Sequence, residues 1–165
     1  MIASHKAVFL DRDGVINRER GEHTWKLDDF EVLPDVSGAI ADLKELGYLC
    51  VVISNQSGIG LGLYTHADVE VLHRYLHHHL HQHGTRLDAI YYCPHHPSGG
   101  RCLCRKPGSL LLERAIARFG IDAAGSVMVG DRDRDLEAAR AVGVRGVLVA
   151  ANSSLRSALT SVAIL

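Results

Sequence analysis

Short apolar runs alternate along this chain with longer stretches in which apolar positions return every three or four residues. The runs at 7–10, 49–54, 89–92, 126–129 and 146–149 are bounded by Gly, Asn or Asp and are predicted as strands. The stretches at 36–46, 67–83, 110–119 and 135–142 carry the helical period. Gly47, Gly84, Gly120 and Gly143 follow them where helices are expected to stop. Strand and helix in regular alternation predict an α/β fold: a Rossmann-like three-layer sandwich with a mainly parallel sheet. The Ser-, Ala- and Leu-rich stretch after Ala151 suits a last short helix.

Composition narrows this picture without changing it. A chain of 165 residues, with 47% apolar and 22% charged positions, suits one globular domain spanning 1–165. It is too short for a large inserted cap domain. A formal net charge of -1 offers no field for polyanions, so neither nucleic acid nor an acidic membrane surface is expected as a partner. The segment before Asp11 lacks a basic start, a long apolar core or a cleavage pattern, and a cytoplasmic location is expected. No heptad or large apolar stripe demands a second copy, so a monomer is expected.

In open α/β sheets ligands bind at the carboxyl ends of strands, so the residues just after each run are the candidates for chemistry. Asp11-Arg12-Asp13-Gly14 follows the first. Two close carboxylates suit a divalent cation, or a division into nucleophile and acid, although an Asx-type turn would use the same residues. Ser54, Asn55, Gln56 and Ser57 follow the second and lead into a loop with Gly58, Gly60 and Gly62, short polar groups suited either to phosphate oxygens or to a plain polar turn. Arg105 and Lys106 stand before a predicted helix, where a cation can face a phosphoryl group. Asp131 follows the fourth strand and offers a third carboxylate to the cation, while Asp133 is preferred over Asp135 as the helix cap. Arg18, Arg20 and Lys26 are candidates for a second phosphate, with solvated surface charge as the alternative.

Three of the four cysteines crowd into one segment. Cys93, His95, Cys102 and Cys104 form two x-spaced pairs of soft ligands, the chemistry of a structural Zn2+ site that braces a loop; His96 is a spare ligand. Cys50 reads as a small buried hydrophobe. In the His-rich stretch, His73, His77 and His81 share a helical face, but Val69, Leu72, Leu76 and Leu80 form the buried stripe and most histidines are expected on the wet side. Trp25 and Tyr64 read equally as core or as pocket lining.

The segments FLDRDGVIN, SNQSG, CRKP and VGDRDRD, in that order, resemble the four motifs of the haloacid-dehalogenase superfamily of phosphatases. CPHHP followed by CLCRKP resembles its branch of heptose-bisphosphate and histidinol-phosphate phosphatases. The resemblance implies a Mg2+-dependent phosphomonoesterase. Asp11 would be the nucleophile that forms an aspartyl-phosphate, and Asp13 the general acid and base. Mg2+ would be held by the Asp11 carboxylate, the Asp13 carbonyl and Asp131. Ser54, Asn55 and Lys106 would grip the phosphoryl group, and His95 rather than His96 would be the zinc ligand. SNQSGIGLGLYT and CPHHPSGG favour a small sugar bisphosphate as partner, D-glycero-D-manno-heptose 1,7-bisphosphate losing its 7-phosphate. The short loop between the metal pairs and the single Pro-Gly after Lys106 depart from the heptose pattern, which keeps histidinol phosphate as the alternative substrate. A phosphate-binding module without turnover is the alternative from another class.

Overall fold

The computed structural model describes residues 4–165. Five parallel strands, β1 (Ala7–Leu10), β2 (Leu49–Asn55), β3 (Ala89–Cys93), β4 (Val127–Gly130) and β5 (Arg145–Leu148), form one sheet in the order β3-β2-β1-β4-β5. The helices are α1 (Val36–Glu45), α2 (His66–Gln82), α3 (Leu110–Phe119), α4 (Asp133–Ala141) and α5 (Leu155–Ser161).

Successive side chains of β1 enter opposite layers. Val8 and Leu10 pack with Ile40 and Leu43 of α1, Leu72, Leu76 and Leu80 of α2, and Leu155 and Leu159 of α5. Ala7 and Phe9 pack with Leu111, Leu112 and Ala115 of α3 and Ala138 and Ala139 of α4. Because helices cover both faces, the central strands are apolar throughout and show no period of two, as parallel sheets require. Cys50 is fully buried within the first layer, as expected.

Element boundaries differ from the predicted ones by one or two residues. The fourth strand starts at Val127 because the Ser126 hydroxyl is engaged off the ladder, accepting from the Ala7 amide at 2.9 Å and donating to the Asp122 carbonyl. Helix α4 starts at Asp133, two residues early, because the Asp135 carboxylate accepts from the Arg132 amide at 3.1 Å. Asp135, at the third helical position, therefore closes the capping box on Arg132, and Asp133, the preferred candidate, is exposed. Gly47, Gly84, Gly120 and Gly143 all have positive φ and end their helices as predicted.

The chain leaves β1 for β2 and β3 on one side of the sheet, then crosses to β4 and β5 on the other. The reversal falls between β1 and β4, where Leu10 lies level with Val129 and the Asp11 amide donates to the Val129 carbonyl at 3.0 Å. That switch point is where an open sheet parts to admit a ligand. No described helix is long and apolar enough to cross a membrane.

Candidate active site

Asp11 leaves the end of β1 and Asp131 the end of β4, so the carboxylates meet across the switch point. Carboxylate oxygens of Asp11, Asp131 and Asp135 lie within 4.8 Å of one another. Gly14, at φ +89°, lets the turn fold against this group; a Cβ there would come within 2.5 Å of Asp131 Oδ2.

A single buried lysine pairs with two of the three acids, Asp11 and Asp135. Lys106, 1% exposed, donates from Nζ to Asp11 Oδ1 at 2.8 Å and to the Ile53 carbonyl at 2.6 Å. Its Nζ also stands 2.7 Å from Asp135 Oδ1, an ion pair without the angles of a hydrogen bond. Burial opposes the charge on Lys106, but Asp11 and Asp135 outweigh it and raise its pKa. Asp11 is driven towards its neutral form: burial, with Lys106 opposing and Asp135 adding, raises its pKa to about 7. Asp131 is also raised, chiefly by burial. Three acids with one lysine leave negative charge uncompensated in a buried space. Hard oxygen ligands in that state suit a divalent cation such as Mg2+.

Asp13 faces the same cavity but stays out of the acid cluster. Its carboxylate accepts from Arg12 Nε and Nη2, each at 3.1 Å, from Asn17 Nδ2 at 2.9 Å and from Gln56 Nε2 at 3.1 Å. Burial pushes Asp13 upward, yet Arg12 and these amides prevail and hold it below the ordinary carboxylate range. Arg12 is fully buried, packs over the Phe30 ring and ties the 20–25 segment through the Thr24 carbonyl at 2.8 Å. Sequence reasoning passed over Arg12 because an arginine beside two acids reads as surface charge.

The polar residues after β2 divide differently from expectation. Asn55 clasps the Lys106 backbone, accepting from its amide at 3.0 Å and donating to its carbonyl at 3.2 Å. Gln56 bridges Asp13 and Ser54, and its oxygen accepts from the Tyr64 hydroxyl at 2.8 Å. Ser54 is buried, and Ser57 lines the cavity. Tyr64 is core, its ring pressed on Gly58, with Trp25 stacked 6.0 Å away.

The cavity, about 350 Å3, is lined by Asp11, Asp13, Asn55, Gln56, Arg105 and Asp131, with Glu19, residues 21–24, Arg132 and Arg134 completing it. Arg18, Arg20 and Lys26 do not line it: Arg18 pairs with Glu31, Arg20 with Glu22 and Asp29, and Lys26 lies over the Trp25 ring. Neighbouring acids satisfy both arginines, which sequence spacing could not foresee for Glu31 and Asp29.

Beside the cavity, Cys93, His95, Cys102 and Cys104 converge. Their sulfur and Nδ1 atoms are separated by 2.9 to 3.6 Å along all six edges of a tetrahedron. A disulfide would need sulfurs at about 2.0 Å, whereas ligands around one zinc ion lie roughly 3.7 Å apart, so the cage fits a metal and not a bridge. His96 is turned away to Ser98. In α2, His77, His78 and His81 are exposed as expected for most of these histidines, whereas His73 is buried with Val69, Leu72, Leu76 and Leu80, its ring 5.5 Å from that of Tyr92. No metal-binding group forms among the histidines of α2 within the described residues.

Residues 103–164 match the HAD-hydrolase-like family. A D-glycero-beta-D-manno-heptose-1,7-bisphosphate 7-phosphatase from Haemophilus ducreyi is 42% identical over 146 residues, covering 85% of this chain and 80% of that protein. This chain belongs to the haloacid-dehalogenase superfamily. The relative of the same name from Escherichia coli K12 is 43% identical over 87% of the chain and 78% of its own length. Among solved structures, this haloacid-dehalogenase chain resembles the D,D-heptose 1,7-bisphosphate phosphatase of B. bronchiseptica, whose crystals hold magnesium and phosphate. The TM-score is 0.84 at 37% identity, covering 94% of this chain and 86% of that one.

Proposed function

We propose that the protein is a magnesium-dependent phosphatase that removes the 7-phosphate from D-glycero-D-manno-heptose 1,7-bisphosphate. The observation that carries this reading is the meeting of Asp11, Lys106, Asp131 and Asp135 at the switch point, with Asp13 facing the same cavity. The names of the relatives support the substrate.

An Asp11 carboxylate oxygen attacks phosphorus, and the bond from phosphorus to the sugar oxygen breaks. Asp13 in its acid form gives its proton to that leaving oxygen, and Asp11 carries the phosphoryl group as an acyl phosphate. Asp13, now a carboxylate, takes a proton from water, whose oxygen attacks phosphorus and frees Asp11. Arg12, Asn17 and Gln56 stabilise Asp13 in the base form, so its proton must arrive as substrate enters. Lys106 holds the Asp11 carboxylate in position and offsets charge on the transferring group. Mg2+ held by Asp11 and Asp131, with the Asp13 carbonyl and Asp135 in support, would supply the remaining positive charge for the phosphoryl oxygens. Cys93, His95, Cys102 and Cys104 would hold Zn2+ and fix the loop that leads into Arg105 and Lys106. Asn55 acts on phosphate indirectly by clasping Lys106, and Ser54 through Gln56.

Phosphate release is measured from the heptose bisphosphate and from histidinol phosphate, with EDTA and after Mg2+ is restored. Fast turnover of the heptose bisphosphate that EDTA stops and Mg2+ restores is expected, with Asp11→Asn inactive. Activity persisting in Asp11→Asn would remove the nucleophile, and preference for histidinol phosphate would replace the substrate.

A further inference from the structure

Three side chains hold the Asp13 carboxylate, and two of them are carried by its own turn. Arg12 and Asn17 stand one and four positions from it in sequence. Among the described residues only Gln56 reaches Asp13 from another element: it follows the end of β2, and its Nε2 donates to Asp13 Oδ2 at 3.1 Å. The neighbouring Asn55, the last residue of β2, clasps the Lys106 backbone. Gln56 therefore sets where the Asp13 carboxylate stands relative to Lys106.

A glutamine does this in only one of two orientations. A half-turn of the terminal amide exchanges oxygen for nitrogen, and that torsion is soft. An ionised carboxylate only accepts, so an amide oxygen turned towards Asp13 would repel it. Ser54, whose hydroxyl lies 2.8 Å from Gln56 Nε2, does not choose between the two, because a hydroxyl both donates and accepts. Tyr64 does choose: its buried hydroxyl donates to Gln56 Oε1 at 2.8 Å, and with the amide reversed that proton would face nitrogen and lose its acceptor. Leaving a buried donor unpaired is costly. The ring behind the hydroxyl is fixed as well. A Cβ on Gly58 would collide with it, Trp25 stacks on it at 6.0 Å, and His23 meets it edge-on at 5.8 Å.

We propose that Tyr64 is a positioning residue for the step that releases the leaving group: its hydroxyl holds the Gln56 amide in the orientation that donates to Asp13, and so fixes Asp13 against Lys106 and the phosphoryl group. This rests on the phosphatase reading above, in which Asp13 protonates the leaving oxygen. Tyr64 itself lies behind the cavity wall and does not line it.

The test uses the full chain with Mg2+ and two aryl phosphates of similar shape. The leaving oxygen of phenyl phosphate needs a proton, whereas that of p-nitrophenyl phosphate departs as a stable anion. The quantity read is the ratio of kcat/KM for phenyl phosphate to that for p-nitrophenyl phosphate, which covers every step up to cleavage of the bond from phosphorus to oxygen. In Tyr64→Phe, which keeps the ring, the ratio falls about tenfold, a part of what general acid catalysis contributes. Its Tm stays within about 2 °C of the parent value. Gln56→Met lowers the ratio as far, and Tyr64→Phe added to Gln56→Met lowers it no further. A ratio that stays within about twofold of the parent in Tyr64→Phe, as when both esters lose equally, overturns the role, and so does a further fall in the double variant. If the parent chain hydrolyses neither ester, the phosphatase reading has failed, and the amide orientation is judged by NMR. NOEs from the Gln56 Nε2 protons to the Ser54 side chain that are present in the parent and lost in Tyr64→Phe support the positioning role, and NOEs equal in both proteins overturn it.

Discussion

Asp135 shows how one carboxylate can hold several parts of a site at once. It is fully buried, caps α4 through the Arg132 amide, pairs with Lys106 and raises the pKa of Asp11. Its charge matters more than its shape, because an asparagine would keep an oxygen for the cap while removing one of three negative charges. Asp135→Asn is therefore expected to shift the Mg2+ concentration for half-maximal activity upward by about 10–100-fold, the usual effect of removing a group that supports a metal site. A titration curve that stays in place would show that the cluster does not share the ion's charge. The sequence showed Asp135 only as one of three acids in DRDRD. Its depth became visible only when α4 packed on β4, since helix phase decides which acid of α4, Asp133 or Asp135, turns inward.

Among the elements, the loop from Cys93 to Lys106 links the Cys3His cage to the acid cluster at the cavity. Cys93 ends β3, Cys104 stands two residues before Lys106, and Asn55 of β2 grips the Lys106 backbone at both polar groups. A cage that fixes Cys102 and Cys104 thereby fixes where Lys106 enters the core. Cys102→Ser should lower the zinc content below one per chain and reduce Tm by at least about 5 °C, a loss of roughly 2 kcal/mol for a chain of this size. It should also raise KM. Full zinc content with unchanged melting would remove the bracing role. This loop was legible in advance because the spacing of soft ligands is local. The roles of Asn55 and Gln56 were not, because their partners lie 51 and 43 positions away in sequence.

At the scale of the whole molecule, α2 covers one face of the sheet together with α1 and α5 and carries His73 into the core. Burial, reinforced by the charges of Arg12 and His77, lowers the His73 pKa from 6.5 to about 3. The unfolded chain then binds a proton below pH 6.5 that the folded one refuses, so stability falls as pH drops from about 6.5 towards 3. The slope from this group approaches 1.4 kcal/mol per pH unit at most. His73→Leu should lose that slope: the difference between its unfolding free energy and the parent's, read from urea midpoints at pH 7 and pH 5, should move in favour of the variant at the lower pH. A constant difference would mean that His73 is hydrated in the folded state. By itself the sequence determined the order of strands and helices, the helix stops, the cysteines and histidine that converge beside the cavity, and the acids at the strand ends, because each depends on neighbours within a few positions. Only the tertiary structure decided that Asp135 joins the cluster, that Arg12 grips Asp13, and that Arg18 and Arg20 pair with acids away from the cavity. Those outcomes depend on which charges meet once the chain has folded, and no local pattern records that.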